Sequence, residues 1–295
     1  GFSWADLMSG LGSRMSSDSE VPFPLVFEQI AASRGCKIGR RKEDAYKGLR
    51  DDLSSAIDGA KLEPGIIYYA FRNLPFQHLV TTNYDFVFEK TFTDIDYSDV
   101  RVGSSRNFLE PTSRSGGVDF YHAHGATKWK NTLCLGHEHY ASLIAKIRGQ
   151  LYPSSSNDEG GKEDNTDYLF RIIKGEVSPE IWPVYLFTND VAIVGLQLDY
   201  CESDLWWLLS LRSSCYAPCN GLSDFENTIS YYEPVVLSNA EPCSQSGNFS
   251  LGAEARKTGK LAVLDAFGVI VEEVRADIYE RAYMEIADRI KRNWS

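Results

Sequence analysis

No run of about 18 apolar residues occurs in this chain, so the sequence holds no helical membrane span of ordinary length. A basic excess is also missing: 30 Lys and Arg stand against 41 Asp and Glu, a formal net charge of −11. Sequence-independent binding to nucleic acid draws on a basic face, so direct nucleic-acid binding is not expected. The six cysteines, Cys36, Cys134, Cys201, Cys215, Cys219 and Cys243, form no C-x-x-C pair, which removes the zinc ribbon from consideration. The opening GFSWADLMSG lacks the basic start and apolar stretch of a secretory leader, so a cytoplasmic location and reduced cysteines are expected. What is present is a globular composition, 43% hydrophobic and 24% charged over 295 residues, enough to bury a core without covalent staples.

Strand-like apolar runs alternate with helix-like ones. Phe76 to Thr81, Val118 to His122, Trp182 to Thr188 and Val191 to Gly195 read as strands, as do Leu261 to Leu264 and Val269 to Val271. Ala45 to Leu62, Tyr140 to Leu151, Leu205 to Leu211 and Val274 to Ile290 carry apolar residues every three or four positions, the helical period. Gly103 to Gly117, Tyr152 to Asp167 and Pro242 to Ser250 read as loops. Alternation of this kind predicts an α/β fold: a mostly parallel sheet with helices on both faces. In such folds ligands bind at the carboxyl ends of strands, so function is sought there.

Three strand ends carry polar motifs. The first is Thr81-Thr82-Asn83-Tyr84-Asp85, where Asn and Asp can cap a helix over Phe86 to Phe92 or face a ligand. The second is Tyr121-His122-Ala123-His124-Gly125, whose glycine lets the backbone turn and approach a ligand closely. The third is Gly195-Leu196-Gln197-Leu198, with Asp199 and Asp204 ahead of the helix LWWLL. A glycine at a strand end before a polar turn suits a nucleotide phosphate or ribose.

Taken in this order, LVTTNYDFVFEK, FYHAHGATKW, TLCLGHEHYASLI and VAIVGLQLDYCESDLWWLL resemble the sirtuin-like NAD-binding domains, in the branch without a zinc ribbon found in bacterial anti-phage defence proteins. The resemblance implies one Rossmann-like domain over 1–295, with helical insertions at about 14–75 and 138–180. It implies NAD as the substrate, no metal, and cleavage of the nicotinamide–ribose bond. Asn83 and His124 become the expected catalytic pair, because the catalytic histidine of the family precedes glycine. His122, two residues earlier on the same strand face, becomes a supporting neighbour. Thr81, Thr82, Asp85, Gly125, Gly195 and Gln197 are the expected NAD-contacting residues. The family opens with a strand and a Gly-Ala-Gly turn that holds the pyrophosphate; Gly1-Phe2-Ser3-Trp4 resembles only the tail of that opening, which adds Phe2 and Ser3. Gln197 stands where the family often has a small hydroxyl residue, and Thr82 replaces the Gln of deacylating sirtuins. With no zinc ribbon, this points away from a protein deacylase. Homo-oligomerisation and a partner ATPase or Argonaute-type protein are further implications of the resemblance.

These residue types fit that chemistry. Loss of nicotinamide leaves an oxocarbenium-like ribose, as in glycoside hydrolysis. Asn offers one donor and one acceptor side to hold water or ribose, His is the base that works near neutral pH, and Asp can stabilise developing positive charge. The alternation His122-x-His124 and His137-x-His139 admits a metal site in principle, but no further ligand stands at a helpful spacing. A non-catalytic module that binds NAD or ADP-ribose is the competing expectation.

Overall fold

The computed structural model describes residues 10–11, 21–34, 40–96, 109–153, 166–216, 227–237 and 247–294. Helices α1 (Phe23–Ser33), α2 (Arg40–Gly59) and α3 (Ile66–Arg72) precede strand β1 (His78–Thr81). Strands β2 (Ser113–Ser115) and β3 (Val118–His122) follow, then helices α4 (His137–Leu151), α5 (Thr166–Ile173) and α6 (Trp182–Thr188). The remainder alternates: β4 (Val191–Val194), α7 (Ser203–Cys215), β5 (Ile229–Val236), α8 (Gly247–Ala266), β6 (Ile270–Ala276) and α9 (Tyr279–Trp294).

Among the described residues the strands form two ladders. In the first, β1 pairs parallel with β3, Thr81 opposite His122, and β2 adds antiparallel to the far side of β3. In the second, β4, β5 and β6 are all parallel, with Val194 opposite Tyr232 and Val274 opposite Pro234. Pro234 lacks the N–H a central strand needs. It is tolerated because β4 pairs only Ile229 to Tyr232, so that side of β5 is already free at Pro234.

Helices cover both faces, as the alternation predicts. Tyr231 and Tyr232, adjacent on β5, point to opposite sides. Tyr231 joins a core with Leu143 and Ile147 of α4, Phe187 of α6 and Leu208 of α7. Tyr232 joins a second core with Ile286 and Ile290 of α9 and Leu74 after α3. Side chains tie the first ladder to α6, the helix that precedes β4: His78 of β1 stacks on Tyr185 of α6 with ring centroids 3.9 Å apart, and the Tyr121 and Tyr185 hydroxyls bond at 2.7 Å. A third core packs Phe27 and Ile30 of α1 and Leu49 and Leu53 of α2 against Tyr84, Leu133 and Leu135, residues of the loops that follow β1 and β3.

Several local expectations change. Trp182 to Thr188 is a helix, not a strand: Pro183 sits in its first turn, where a missing N–H costs nothing, and Trp182, Pro183, Val184, Leu186 and Phe187 are all buried. A short helix that is apolar on every side has the composition of a buried strand. Phe86 to Phe92 is not a helix but a turn with one 3₁₀ segment, Glu89–Thr91. Leu261 to Leu264 lies in the last turns of α8. Val274 belongs to β6, and the helix that follows begins only at Tyr279, burying Ala282, Ile286 and Ile290. Within Gly103 to Gly117, Ser113–Ser115 forms a strand.

Candidate active site

The polar motifs fall beyond the carboxyl ends of β1, β3 and β4, as the fold class requires. After β1 the chain makes a tight turn fixed by its own polar groups. The Thr81 hydroxyl accepts from the Asn83 N–H at 3.1 Å, and Asp85 Oδ1 accepts from the Val87 N–H at 2.9 Å. This two-residue reach makes an Asx turn, so Asp85 closes a loop instead of capping a helix. Tyr84 is buried, with its hydroxyl donating to the Cys134 carbonyl and its carbonyl accepting from the Thr127 N–H at 2.9 Å. Asn83 is exposed, Thr81, Thr82 and Asp85 half-buried. Burial raises the Asp85 carboxyl above its ordinary 3.8, against the pull of the Val87 N–H and the nearby His122.

After β3 the chain is buried from Tyr121 through Thr127. Gly125 takes φ +86°, and a Cβ there would lie 2.2 Å from the Thr132 carbonyl oxygen. Only glycine fits. The turn carries His124, which is 2% exposed. Its Nε2 lies 3.1 Å from Asp204 Oδ2 and 3.6 Å from Glu202 Oε2, while the ring meets Tyr140 edge to face. Both carboxylates come from the start of α7. Burial alone would push the imidazole down; the charge of Asp204, its hydrogen bond and Glu202 outweigh it, so His124 binds its proton more tightly than an ordinary histidine of pKa 6.5. Glu202 is raised above 4.5 by desolvation and by Asp204. With Asp204 holding the Nε2 proton, the neutral ring keeps its lone pair on Nδ1.

The third loop leaves β4 at Gly195, exposed and at φ +69°. Its carbonyls are tied down: that of Leu196 accepts from the Tyr231 hydroxyl at 3.0 Å, and that of Gln197 from Lys260 Nζ at 2.9 Å. The Gln197 side chain is exposed. Leu198 itself takes φ +47° and is buried, then Asp199 Oδ1 accepts from the Cys201 N–H at 3.1 Å, turning the chain into α7.

The structure thus sets Asn83 and His124 on the loops that leave two paired parallel strands. Phe2 and Ser3 lie outside the described residues. The acidic partners of His124 were the residues that spacing did not reveal. Asp204 stands 80 positions downstream, and in sequence it is an ordinary acidic residue in a helix's first turn. Only the fold turns it inward, 0% exposed.

Among the described residues, one group of side chains could hold a cation: His124, Glu202 and Asp204, whose ligand atoms lie within 4.8 Å of one another. Asp204 Oδ1 is buried without a hydrogen-bond partner among the described residues, an acceptor left for an incoming donor. The histidine pairs weighed from sequence do not converge on a metal. His122 bonds the Asn83 carbonyl and Glu89, and His139 Nδ1 accepts the Leu135 and Gly136 N–H groups at 3.1 and 3.0 Å. Burial first and then Asp204 hold the Cys134 thiol well above the ordinary 9.0, which disfavours its thiolate.

Residues 77–158 match the family model of the SIR2-like domain. The match spans the Asn83 turn, the His124-Gly125 turn and α4, and this part of the chain is sirtuin-like. SIR2-like domains bind NAD. A comparison with curated proteins found no match.

Proposed function

We propose that the protein hydrolyses NAD at the nicotinamide–ribose bond, giving nicotinamide, ADP-ribose and a proton. The observation that carries this is buried His124, paired with Asp204 and one strand away from the exposed Asn83; His124 and Asn83 both lie inside the segment that matches the SIR2-like domain. Asn83 holds the attacking water or the ribose in line, worth the most when the geometry is pre-set. Departure of nicotinamide puts positive charge on the ribose, which the Asp85 carboxylate meets from the same turn. His124 takes the proton of the water or of a ribose hydroxyl, directly or through one water, and Asp204 fixes its ring and steadies the resulting imidazolium. Gly125 and Gly195 allow close backbone approach, and Thr81, Thr82 and Gln197 contact the dinucleotide, with Phe2 and Ser3 at the pyrophosphate. In the cell, such an enzyme acts as the NAD-depleting effector of a cytoplasmic anti-phage system. It is held silent until an oligomer, or a partner ATPase or Argonaute-type protein, releases it.

One observation favours a second reading. His124 is only 2% exposed, which suits a module that binds NAD or ADP-ribose without turnover. Calorimetry with NAD and with ADP-ribose, run beside a nicotinamide-release assay, separates the two: binding with no release supports the module, release supports the hydrolase. An acetyl-lysine peptide added with NAD tests for deacylation, for which the absent zinc ribbon and Thr82 offer no support.

A further inference from the structure

We propose that His122 and Glu89 form a positioning pair that anchors the main chain of Asn83; this deepens the proposed function and rests on Asn83 acting on NAD. His122 ends β3 and is 1% exposed; Glu89, in the 3₁₀ turn after the Asn83 loop, is 2% exposed. A glutamate so buried is unusual unless it is paired. The His122 ring spans the two: Nδ1 lies 2.8 Å from the Asn83 carbonyl oxygen and Nε2 2.8 Å from Glu89 Oε1. A carbonyl oxygen cannot donate, so Nδ1 carries a hydrogen and gives it to Asn83. The Nε2–Oε1 contact at the other end of the ring fixes which edge faces Asn83. The Phe86 ring packs against the imidazole, tilted, at 4.7 Å between centroids.

The consequence falls on Asn83. Its N–H is held by Thr81 Oγ1 and its C=O by His122, so the peptide groups on both sides of its Cα are tied to β1 and β3, while the side chain stays exposed. A side chain whose task is to orient a small molecule gains most from a fixed base. Glu89, 2% exposed, works through His122, as a carboxylate behind a metal-bound or catalytic histidine does. His122 and Glu89 are positioning residues.

The test uses the full chain. Nitrogen-15 spectra of the imidazoles, with the His122 signals identified by their loss in His122→Gln, report whether Nδ1 is protonated. Turnover and affinity for NAD are measured for wild type, Asn83→Ala, Glu89→Ala and Glu89→Gln. The expected results are a protonated Nδ1 in the wild type and a fall in kcat of about 100-fold in Glu89→Ala, with NAD affinity kept. Glu89→Gln, whose amide can donate to Nε2 and leave Nδ1–H on Asn83, recovers most of that loss. An unprotonated Nδ1 in the wild type overturns the proposal, and so does a Gln variant as impaired as the Ala variant, or a loss confined to KM. If Glu89→Ala does not fold, the wild-type spectrum and the Gln variant still decide. If Asn83→Ala cleaves NAD as well as the wild type, the role of Asn83 fails, while the Nδ1 result separately decides whether the anchor exists.

Discussion

Replacing Asp204 by Asn removes a charge next to His124 and keeps the shape of the side chain. At 3.1 Å and an effective dielectric constant of about 20, two full charges would attract by about 5 kcal/mol, a ceiling because each charge is spread over two atoms. Net of desolvation, a buried hydrogen bond to a charged group contributes about 1.5–3 kcal/mol, and Asn still makes a neutral bond worth about 1. The variant is therefore expected to lose about 0.5–2 kcal/mol where His124 is protonated. The sign follows from the raised pKa. A group whose folded value lies above its unfolded 6.5 gives its full stability below that pH and loses it as pH climbs through the folded value. The gap between wild type and Asp204→Asn, measured by urea unfolding across pH, should be widest at and below about pH 6.5 and close on the alkaline side. The rate should move with it. His124 acts as a base only when unprotonated, so the acid limb of kcat/KM for NAD lies above 6.5 in the wild type. In Asp204→Asn burial dominates and the limb shifts to lower pH. A stability gap that is flat or widens at alkaline pH, or an acid limb that stays in place, would refute the Asp204–His124 coupling.

Gly125→Ala combines left-handed backbone strain of about 1–2 kcal/mol with a Cβ 2.2 Å from the Thr132 carbonyl, so urea unfolding should show a loss of about 2–5 kcal/mol; a loss below 1 would mean the turn is not as described. Asn227→Ala should cost about 1.5–3 kcal/mol, because Arg212, 1% exposed, loses the Asn227 side-chain oxygen that accepts from its Nε and Nη2 and keeps the bond to the Asn227 carbonyl; burial already lowers the Arg212 pKa to about 10. The same change releases the bonds from the Asn227 amide to the Leu186 and Asn189 carbonyls, so hydrogen exchange should quicken at the end of α6. Unchanged protection there would show that Asn227 does not hold these elements together.

The placement of much of the candidate site was legible because its parts are local. A strand that ends in Thr81-Thr82-Asn83, and another that ends in His124-Gly125, announce themselves by an apolar run followed by polar residues and glycine, and the structure puts both where parallel strands put ligands. What sequence could not show is long-range pairing. Glu202 and Asp204 reach His124 across 78 and 80 residues, and Glu89 reaches His122 across 33, with no spacing rule to reveal them. Burial, not pattern, distinguishes Asp204 and Glu89, 0% and 2% exposed, from the other described acidic residues. The misread elements have a similar cause. Trp182 to Thr188 is apolar throughout, so periodicity cannot separate helix from strand, and the periodic run from Val274 crosses a strand end and a helix start. Metal coordination was weighed between neighbouring histidines, whereas the group with suitable ligand spacing joins one histidine to two distant carboxylates.

The most direct measurement is product analysis of NAD incubated with the purified chain, alone and with candidate partner proteins, for wild type, Asn83→Ala and His124→Ala, each shown to be folded. Equal amounts of nicotinamide and ADP-ribose from the wild type, and neither from the two variants, is the predicted result. NAD cleaved equally well by both variants would contradict the assignment of the reaction to this site.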